Sequence, residues 1–415
     1  MTGIFYGWRM MAAAAVLRIL GSGLHHYGFT IFFLPLSRDL ELSRTATSFA
    51  FSLARAEGAI EGPLVGYLLD RFGPRPIMMV AVILTGTGYL LLSTVDSYAS
   101  FLFVYTGMIS LAYSGGFMHS PVVLANTWFV RQRARAMTSI SAAFGVGGAL
   151  ISPLLAVIVH AWGWRWGALT AGLLFLIIGL PLCWTIRRSP ESMGYLPDGD
   201  PPALPQHKSG SEHRAGLETD WTVGRAMRSM IFWSLVAGTA VRAACYNAIS
   251  SHFIPILVWK GLSEQEAALF LGTFAFLSIV ATLGLGWFAD KTNKPRMVML
   301  IMFLTSGTML LLIFSSSLLS LWLFLILLTL VEPTYPVGWA IVGDFFGRKH
   351  FAKIRGNMTL FYMWGGVVGP VLAGAIYDRW ESYEPLLWTL AVLFLVPGLS
   401  YGMLVKPWKK IRAAE

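Results

Sequence analysis

Cysteine is nearly absent. Cys183 and Cys245 are the only two in 415 residues, and both lie inside apolar runs. No disulfide framework or cysteine-based metal site can be built from them. Charge is also scarce: Asp, Glu, Lys and Arg make up 13% of the chain, against about 25% in an average soluble domain. A water-soluble globule with 56% hydrophobic residues and a mean hydropathy of +0.64 would leave large apolar patches in solvent. Soluble enzymes, nucleic-acid binders and disordered chains are excluded on that ground. Acid is scarcer than base, with 21 Asp and Glu against 31 Lys and Arg and a net charge of +10. In a soluble chain this excess would point to nucleic acid; in an apolar chain it points to basic loops on the cytoplasmic side of a membrane. No Gly-Lys-Ser/Thr follows a glycine-rich run, so no ATP site is readable. Neither a nucleophile–base pair nor a metal cluster is readable either, and no enzyme activity or cofactor is expected.

Long apolar runs take their place. A bilayer-spanning helix needs about 20 mainly apolar residues. Twelve such runs lie near 9–36, 45–69, 76–95, 98–129, 136–160, 166–187, 229–258, 264–289, 296–316, 318–346, 355–378 and 385–405. They are continuous rather than alternating, which excludes a β-barrel. The first runs on past residue 30 and reads as a retained helix rather than a cleaved signal. The expected fold is an all-α integral membrane protein of twelve transmembrane helices. Residues 1–188 form one six-helix bundle, 189–228 a cytoplasmic linker and 229–415 a second bundle. Pro190, Pro197, Pro201, Pro202 and Pro205 stand in the linker among polar residues, a composition that does not pack a core. Its end, Trp221 to Arg228, suits a short interfacial helix with Arg225 and Arg228 at the lipid headgroups.

Lys and Arg placement sets the orientation. With both termini cytoplasmic, 23 of the 31 fall on the cytoplasmic side, among them Arg133, Lys294 and Arg355. Five fall outside, and Arg18, Arg55 and Arg242 lie within helices. An internal repeat appears at an offset of 220: Phe33 and Pro35 align with Phe253 and Pro255, and Gly66, Asp70 and Arg71 with Gly286, Asp290 and Lys291. Phe129 and Arg131 align with Phe346 and Arg348 at 217. The halves therefore share one orientation, and an axis along the membrane normal with a central cavity is expected.

The loop Gly66-Tyr-Leu-Leu-Asp70-Arg71-Phe-Gly73-Pro-Arg75, with its weaker copy Gly286-Trp-Phe-Ala-Asp290-Lys291, resembles the loop signature of the major facilitator superfamily. The resemblance covers the whole chain. Within that superfamily the chain looks most like the monocarboxylate transporter and oxalate–formate antiporter branch. The narrower likeness rests on Phe72 to Arg75, on Ser189-Pro190-Glu191 through Pro197-Asp198-Gly199, and on Trp364-Gly365-Gly366 to Gly369-Pro370 with Tyr377-Asp378. Members of that branch often hold the substrate carboxylate with a basic residue in helix 8 or 11. Here 267–289 carries no charge, and neither does the stretch between Asn357 and Tyr377. The likeness implies a gate built on Asp70, Arg71, Arg75, Asp290 and Lys291. A carboxylate at a helix end can cap a neighbouring helix N-terminus and pair with nearby arginine; the alternative is a static topology signal.

A charge near the bilayer centre costs about 2.5–3.5 kcal/mol on insertion scales, so it must face a partner or water. Arg18, Arg55, Glu57, Glu61, Arg242 and Glu332 stand in that position, with His25, His119 and His252 as polar candidates. By helical rise, Arg18 and Glu61 lie at similar depth, and an Arg18–Glu61 or Arg18–Glu57 pair would fix helices 1 and 2. A carboxylate left over could carry the coupling proton, a role open to Glu57, Glu61, Glu332 and His119. Arg55 faces away from Glu57 and Glu61 and is unassigned. Arg242, near the middle of helix 7 with Tyr246 on its face, is the best carboxylate clamp available; its alternative is an ion pair with Glu332. Glu332-Pro333 and Tyr335-Pro336 predict a broken helix beside a carboxylate, as at transporter substrate sites. The glycine runs at 145–148 and 365–369 fit close helix packing.

The function these residues suggest is secondary active transport of a small organic anion, monocarboxylate-like, by alternating access with proton symport. Substrate contacts would come from Arg18, His25, Arg242, Tyr246, Glu332 and Tyr335. The expected setting is a bacterial inner membrane, as a monomer whose partners are the anion, protons and lipid, with no nucleic acid. The rival is proton-driven efflux of hydrophobic or cationic compounds. A non-transporting sensor lacks any appended soluble domain to support it.

Overall fold

The structure is a computed structural model, and it describes residues 5–42, 53, 57–58, 60–200 and 220–414. Every regular element among them is helical. Among the described residues, nine helices are long and apolar enough to cross a membrane, including Pro74–Leu92, Tyr98–Trp128, Lys294–Phe314 and Phe351–Trp380. Their order follows the predicted spans. Helix starts coincide with short polar or proline residues. Ser229 accepts the Phe232 N–H, Asn293 accepts the Arg296 N–H, and Ser263 with Glu266 forms a reciprocal cap. Pro63 and Pro295 occupy first turns, where a missing N–H costs nothing, while Pro121 and Pro153 stand inside long helices directly after π-helical stretches.

The chain divides into two compact units. The first holds Met1–Arg131, Ser139–Leu204 and Phe351–Gly356; the second holds Gln132–Thr138, Pro205–His350 and Asn357–Glu415. Each therefore includes one short segment from the other half of the sequence.

In the first unit, π-helical stretches interrupt the helices at Ser22–His26, Phe103–Ser110, Ser114–His119, Gly147–Ile151 and Phe175–Gly179. Such wide turns shift the hydrogen-bond register and free backbone carbonyls. The Gly115 carbonyl accepts from the Ser120 hydroxyl. The glycine run packs as expected: a Cβ on Gly147 would fall on Ser22 and the Ile19 carbonyl, so only glycine lets these two helices meet so closely.

In the second unit, Lys294–Phe314 and Met230–Ser251 both pack along Glu384–Ala414. Gly365 and Gly369 lie on the Ala240 and Ala244 carbonyls, where a side chain would collide. The break foreseen at Glu332-Pro333 is present, with one helix ending at Thr329 and the next starting at Thr334. Linker residues 189–200 fold into turns at Glu191–Met193 and Pro197–Gly199, and Tyr195 packs edge-on against Phe5. Residues 201–219 lie outside the described ones. At the far end a helix forms over Val223–Met227, with Arg225 stacked on Trp221.

Candidate functional site

Arg242 sits in the middle of the Met230–Ser251 helix and is 5% exposed. Its guanidinium lies over the Tyr335 ring, 5.2 Å from the centroid. Among the described residues no carboxylate comes within ion-pair distance of it, and its Nε is buried without a hydrogen-bond partner. The ion pair with Glu332, the alternative to carboxylate binding, is therefore not formed. Glu332 lies in the non-helical break, half-buried, and its carbonyl accepts the Tyr335 N–H at 3.1 Å. Around Arg242 stand phenols and an indole. The Tyr335 and Tyr362 hydroxyls are 2.8 Å apart, and Trp339 meets both rings edge-on. The Tyr401 hydroxyl is 3.3 Å from Thr239 Oγ1. Tyr246, one turn beyond Arg242, is half-buried. A desolvated guanidinium over an aromatic face gains about 2 kcal/mol and keeps its planar donor edge for a carboxylate.

In the first unit the expected Arg18–Glu pairing is absent. Arg18 donates to the Phe117 carbonyl at 2.6 Å and lies over the Phe144 ring. The wide turn Ser114–His119 supplies that carbonyl. Both Glu61 carboxylate oxygens and Glu57 Oε2 are buried with no hydrogen-bond partner, and Glu61 is 7% exposed. His25 sits in an aromatic cage: its Nδ1 is 3.2 Å from the Tyr89 hydroxyl, and its ring rests against Tyr105 and Tyr113. His119 Nδ1 meets the Arg355 guanidinium. Guanidinium only donates, so that nitrogen carries no proton and the ring is neutral. His252 is hydrogen-bonded to Tyr383 at 2.9 Å. Arg55 lies outside the described residues.

The repeated loop motif places its two aspartates identically. Asp290 accepts the N–H groups of Ala134 and Arg135, both at 2.9 Å, at the start of the helix that begins at Arg133. Asp70 accepts those of Ala352 and Lys353, at the start of Phe351–Trp380. Each carboxylate thus occupies the second and third N–H of a helix N-terminus, where the dipole favours negative charge. Gly73 makes the reversal after Asp70 possible, with φ +84° that a side chain would resist. The motif's cations do not share these contacts. Arg71 bonds the Tyr67 hydroxyl, Arg75 lies on Trp184 and Lys291 on Trp287. Arg188 donates instead to the Asp70 carbonyl.

Reading the sequence overlooked one centre. Asp344 accepts from Arg133 and Lys294, both at 2.7 Å, and from the Trp408 indole at 3.1 Å. Arg133 is 1% and Lys294 0% exposed, so two of the charges assigned to cytoplasmic loops are buried. Arg355, 3% exposed, is a third.

Comparison with known proteins agrees with this architecture. The family model for the Major Facilitator Superfamily matches residues 11–330 and 243–412, and the chain belongs to that family. It is a multi-pass membrane protein of a transporter family, not an enzyme. Among curated relatives, it is 27% identical to human Monocarboxylate transporter 11 over 70% of this chain and 58% of that one. It is 25% identical to the Oxalate:formate antiporter of Oxalobacter formigenes over 55% of this chain and 50% of that one. The chain thus spans between half and two thirds of these relatives. The fold matches the Escherichia coli fucose:proton symporter with a TM-score of 0.68 and 12% identity, covering 96% of this chain and 98% of that one.

Proposed function

We propose that the chain is a secondary active transporter for a small organic anion with one carboxylate, moved together with a proton by alternating access. The observation that carries this reading is Arg242: buried, seated on Tyr335, and without an anionic partner among the described residues. A permanent cation in such a place is stable when an anion visits it. The carboxylate takes the two-pronged edge of the guanidinium, with Tyr335 and Tyr246 beside it. Likeness to a monocarboxylate transporter and an oxalate:formate antiporter supports the anion class.

The proton travels on Glu61, with Glu57 one turn away on the same helix face. A buried carboxylate with no cation beside it is stable in its neutral form, and one proton per carboxylate makes the cycle electroneutral. Glu332 and His119 are the other candidates for this role; His119 takes it only by giving up Arg355. The two bundles, 1–188 and 229–415, act as the moving parts in a bacterial inner membrane, with both termini cytoplasmic and the monomer as the working unit. Asp70 and Asp290 form the gate, their caps made in one state and broken in the other, while Arg71, Arg75 and Lys291 hold the loop surface.

Efflux of a cation is the second reading, because Glu57 and Glu61 would also serve as its counter-ions. A thermal-shift screen of purified protein against small carboxylates, sugars, amino acids and cationic drugs separates the two, since a ligand of the folded state raises its melting temperature. Carboxylates are expected to do so; stabilisation by cations alone selects the efflux reading. Arg242→Ala is expected to insert normally and to abolish uptake.

A further inference from the structure

The two described ends of the linker carry a matched pair of clamps. Asp198 Oδ2 accepts the N–H groups of Val130 at 3.1 Å and Arg131 at 2.9 Å, and its side chain is 2% exposed. Asp220 Oδ1 accepts those of Arg348 and Lys349, both at 3.0 Å. Arg131 and Arg348 are the residues related by the 217-residue internal repeat. Successive backbone N–H groups converging on one oxygen form an anion-binding concavity, and here both concavities are filled by linker carboxylates. Neighbouring contacts brace each clamp: Arg131 pairs with Asp200 at 2.6 Å, and the Trp221 N–H bonds the Phe346 carbonyl at 3.2 Å. At Gly347, φ is +80° and any Cβ would meet Asp220 Oδ1.

Each clamp lies three or four residues before a motif cap. The loop held by Asp198 leads into Ala134 and Arg135, which Asp290 caps; the loop held by Asp220 leads into Ala352 and Lys353, which Asp70 caps. Each loop therefore presents two N–H pairs in tandem, the first to a linker carboxylate and the second to a gate carboxylate. We propose that Asp198 and Asp220 are positioning residues of the transport cycle, holding the two loops folded so that the Asp290 and Asp70 caps can break and re-form in register. This rests on the gate reading of Asp70 and Asp290 given above. The two described ends of the linker are then working parts of the gate.

Residue-resolved hydrogen exchange on the full chain in lipid nanodiscs tests this without any substrate. Asp220→Ala is expected to speed exchange at least tenfold at Arg348 and Lys349, and also at Ala352 and Lys353, although Asp70 is intact. Asp220→Asn, which keeps an acceptor oxygen, is expected to restore at least half of the protection. Asp198→Ala is expected to do the same at Val130, Arg131, Ala134 and Arg135. Faster exchange confined to 348–349 and 130–131 would mean purely local anchoring and would overturn the proposal, as would unchanged exchange throughout. Asp70→Asn isolates the underlying reading. Unchanged exchange at Ala352 and Lys353 in that variant removes the gate contact, whatever the linker variants do. Melting temperatures of all variants show whether each one folds.

Discussion

Asp344 and Arg133 pair at 2.7 Å although 211 residues separate them. The carboxylate also serves Lys294 and the Trp408 indole, so one acidic side chain holds two helix starts and the last long helix together. Removing one member of a buried pair leaves an uncompensated charge, which costs about 3–5 kcal/mol. Asp344→Ala is accordingly expected to lower stability by about that amount. Asp344→Asn, which keeps the shape and loses the charge, should fall close behind. Thermal or denaturant unfolding in detergent measures it; a loss below about 0.5 kcal/mol would mean the cluster is solvated.

The proposed gate contact at Asp70 is expected to depend on pH. Asp70 lies just beyond the predicted span 45–69, and burial pushes its carboxyl from 3.8 up to about 6, against the opposing pull of Lys353 and the Ala352 and Lys353 N–H groups. When the cap opens and the carboxylate is solvated, its affinity for protons returns to the ordinary range. Protons then bind the capped state more tightly, and this stabilisation is complete below 3.8 and lost as pH rises through about 6. Acidification from about pH 7 to pH 5 should therefore protect a cysteine placed at Ala352 from thiol reagents, and Asp70→Asn should flatten the profile. An opposite slope would show that burial does not dominate at Asp70.

Glu61 should separate proton coupling from substrate movement. In Glu61→Gln the neutral side chain mimics the protonated acid in both directions. Exchange of substrate for substrate is expected to continue, while accumulation driven by a pH gradient falls at least tenfold. Substrate added outside should acidify the lumen of wild-type vesicles and leave Glu61→Gln vesicles unchanged. Gradient-driven accumulation at the wild-type level in this variant would move the proton to Glu57 or Glu332.

The capping by Asp70 and Asp290 was legible because their motif occurs twice at the repeat offset, and capping a helix N-terminus is a property of a short acidic side chain at a helix end. The Glu332-Pro333 break was legible for a similar reason, since proline removes a backbone donor. Asp344 was not. It is one acid at the end of an apolar run, and its partners Arg133 and Lys294 read as loop charges because composition reveals sign and position but not side-chain direction. The Arg18–Glu61 pairing failed differently. Helical rise gives a residue's height in the membrane, not the angle at which it faces its neighbour, and the Phe117 carbonyl that takes Arg18 is the one whose i+4 donor Pro121 removes. The roles of Asp198 and Asp220 were not legible, because proline and polar content averaged over 40 positions hides single side chains that each meet a pair of N–H groups.

The central claim, that Arg242 holds the carboxylate, is tested most directly by equilibrium binding of the carboxylate that most raises the melting temperature of the purified protein. Losing a charge-assisted hydrogen-bond pair costs about 1.5–3 kcal/mol, or roughly 10- to 150-fold in Kd. Arg242→Gln is predicted to weaken binding by that factor while remaining folded. Arg242→Lys, which keeps the charge but not the planar fork, should fall between it and wild type. Binding by Arg242→Gln within twofold of wild type would contradict the account.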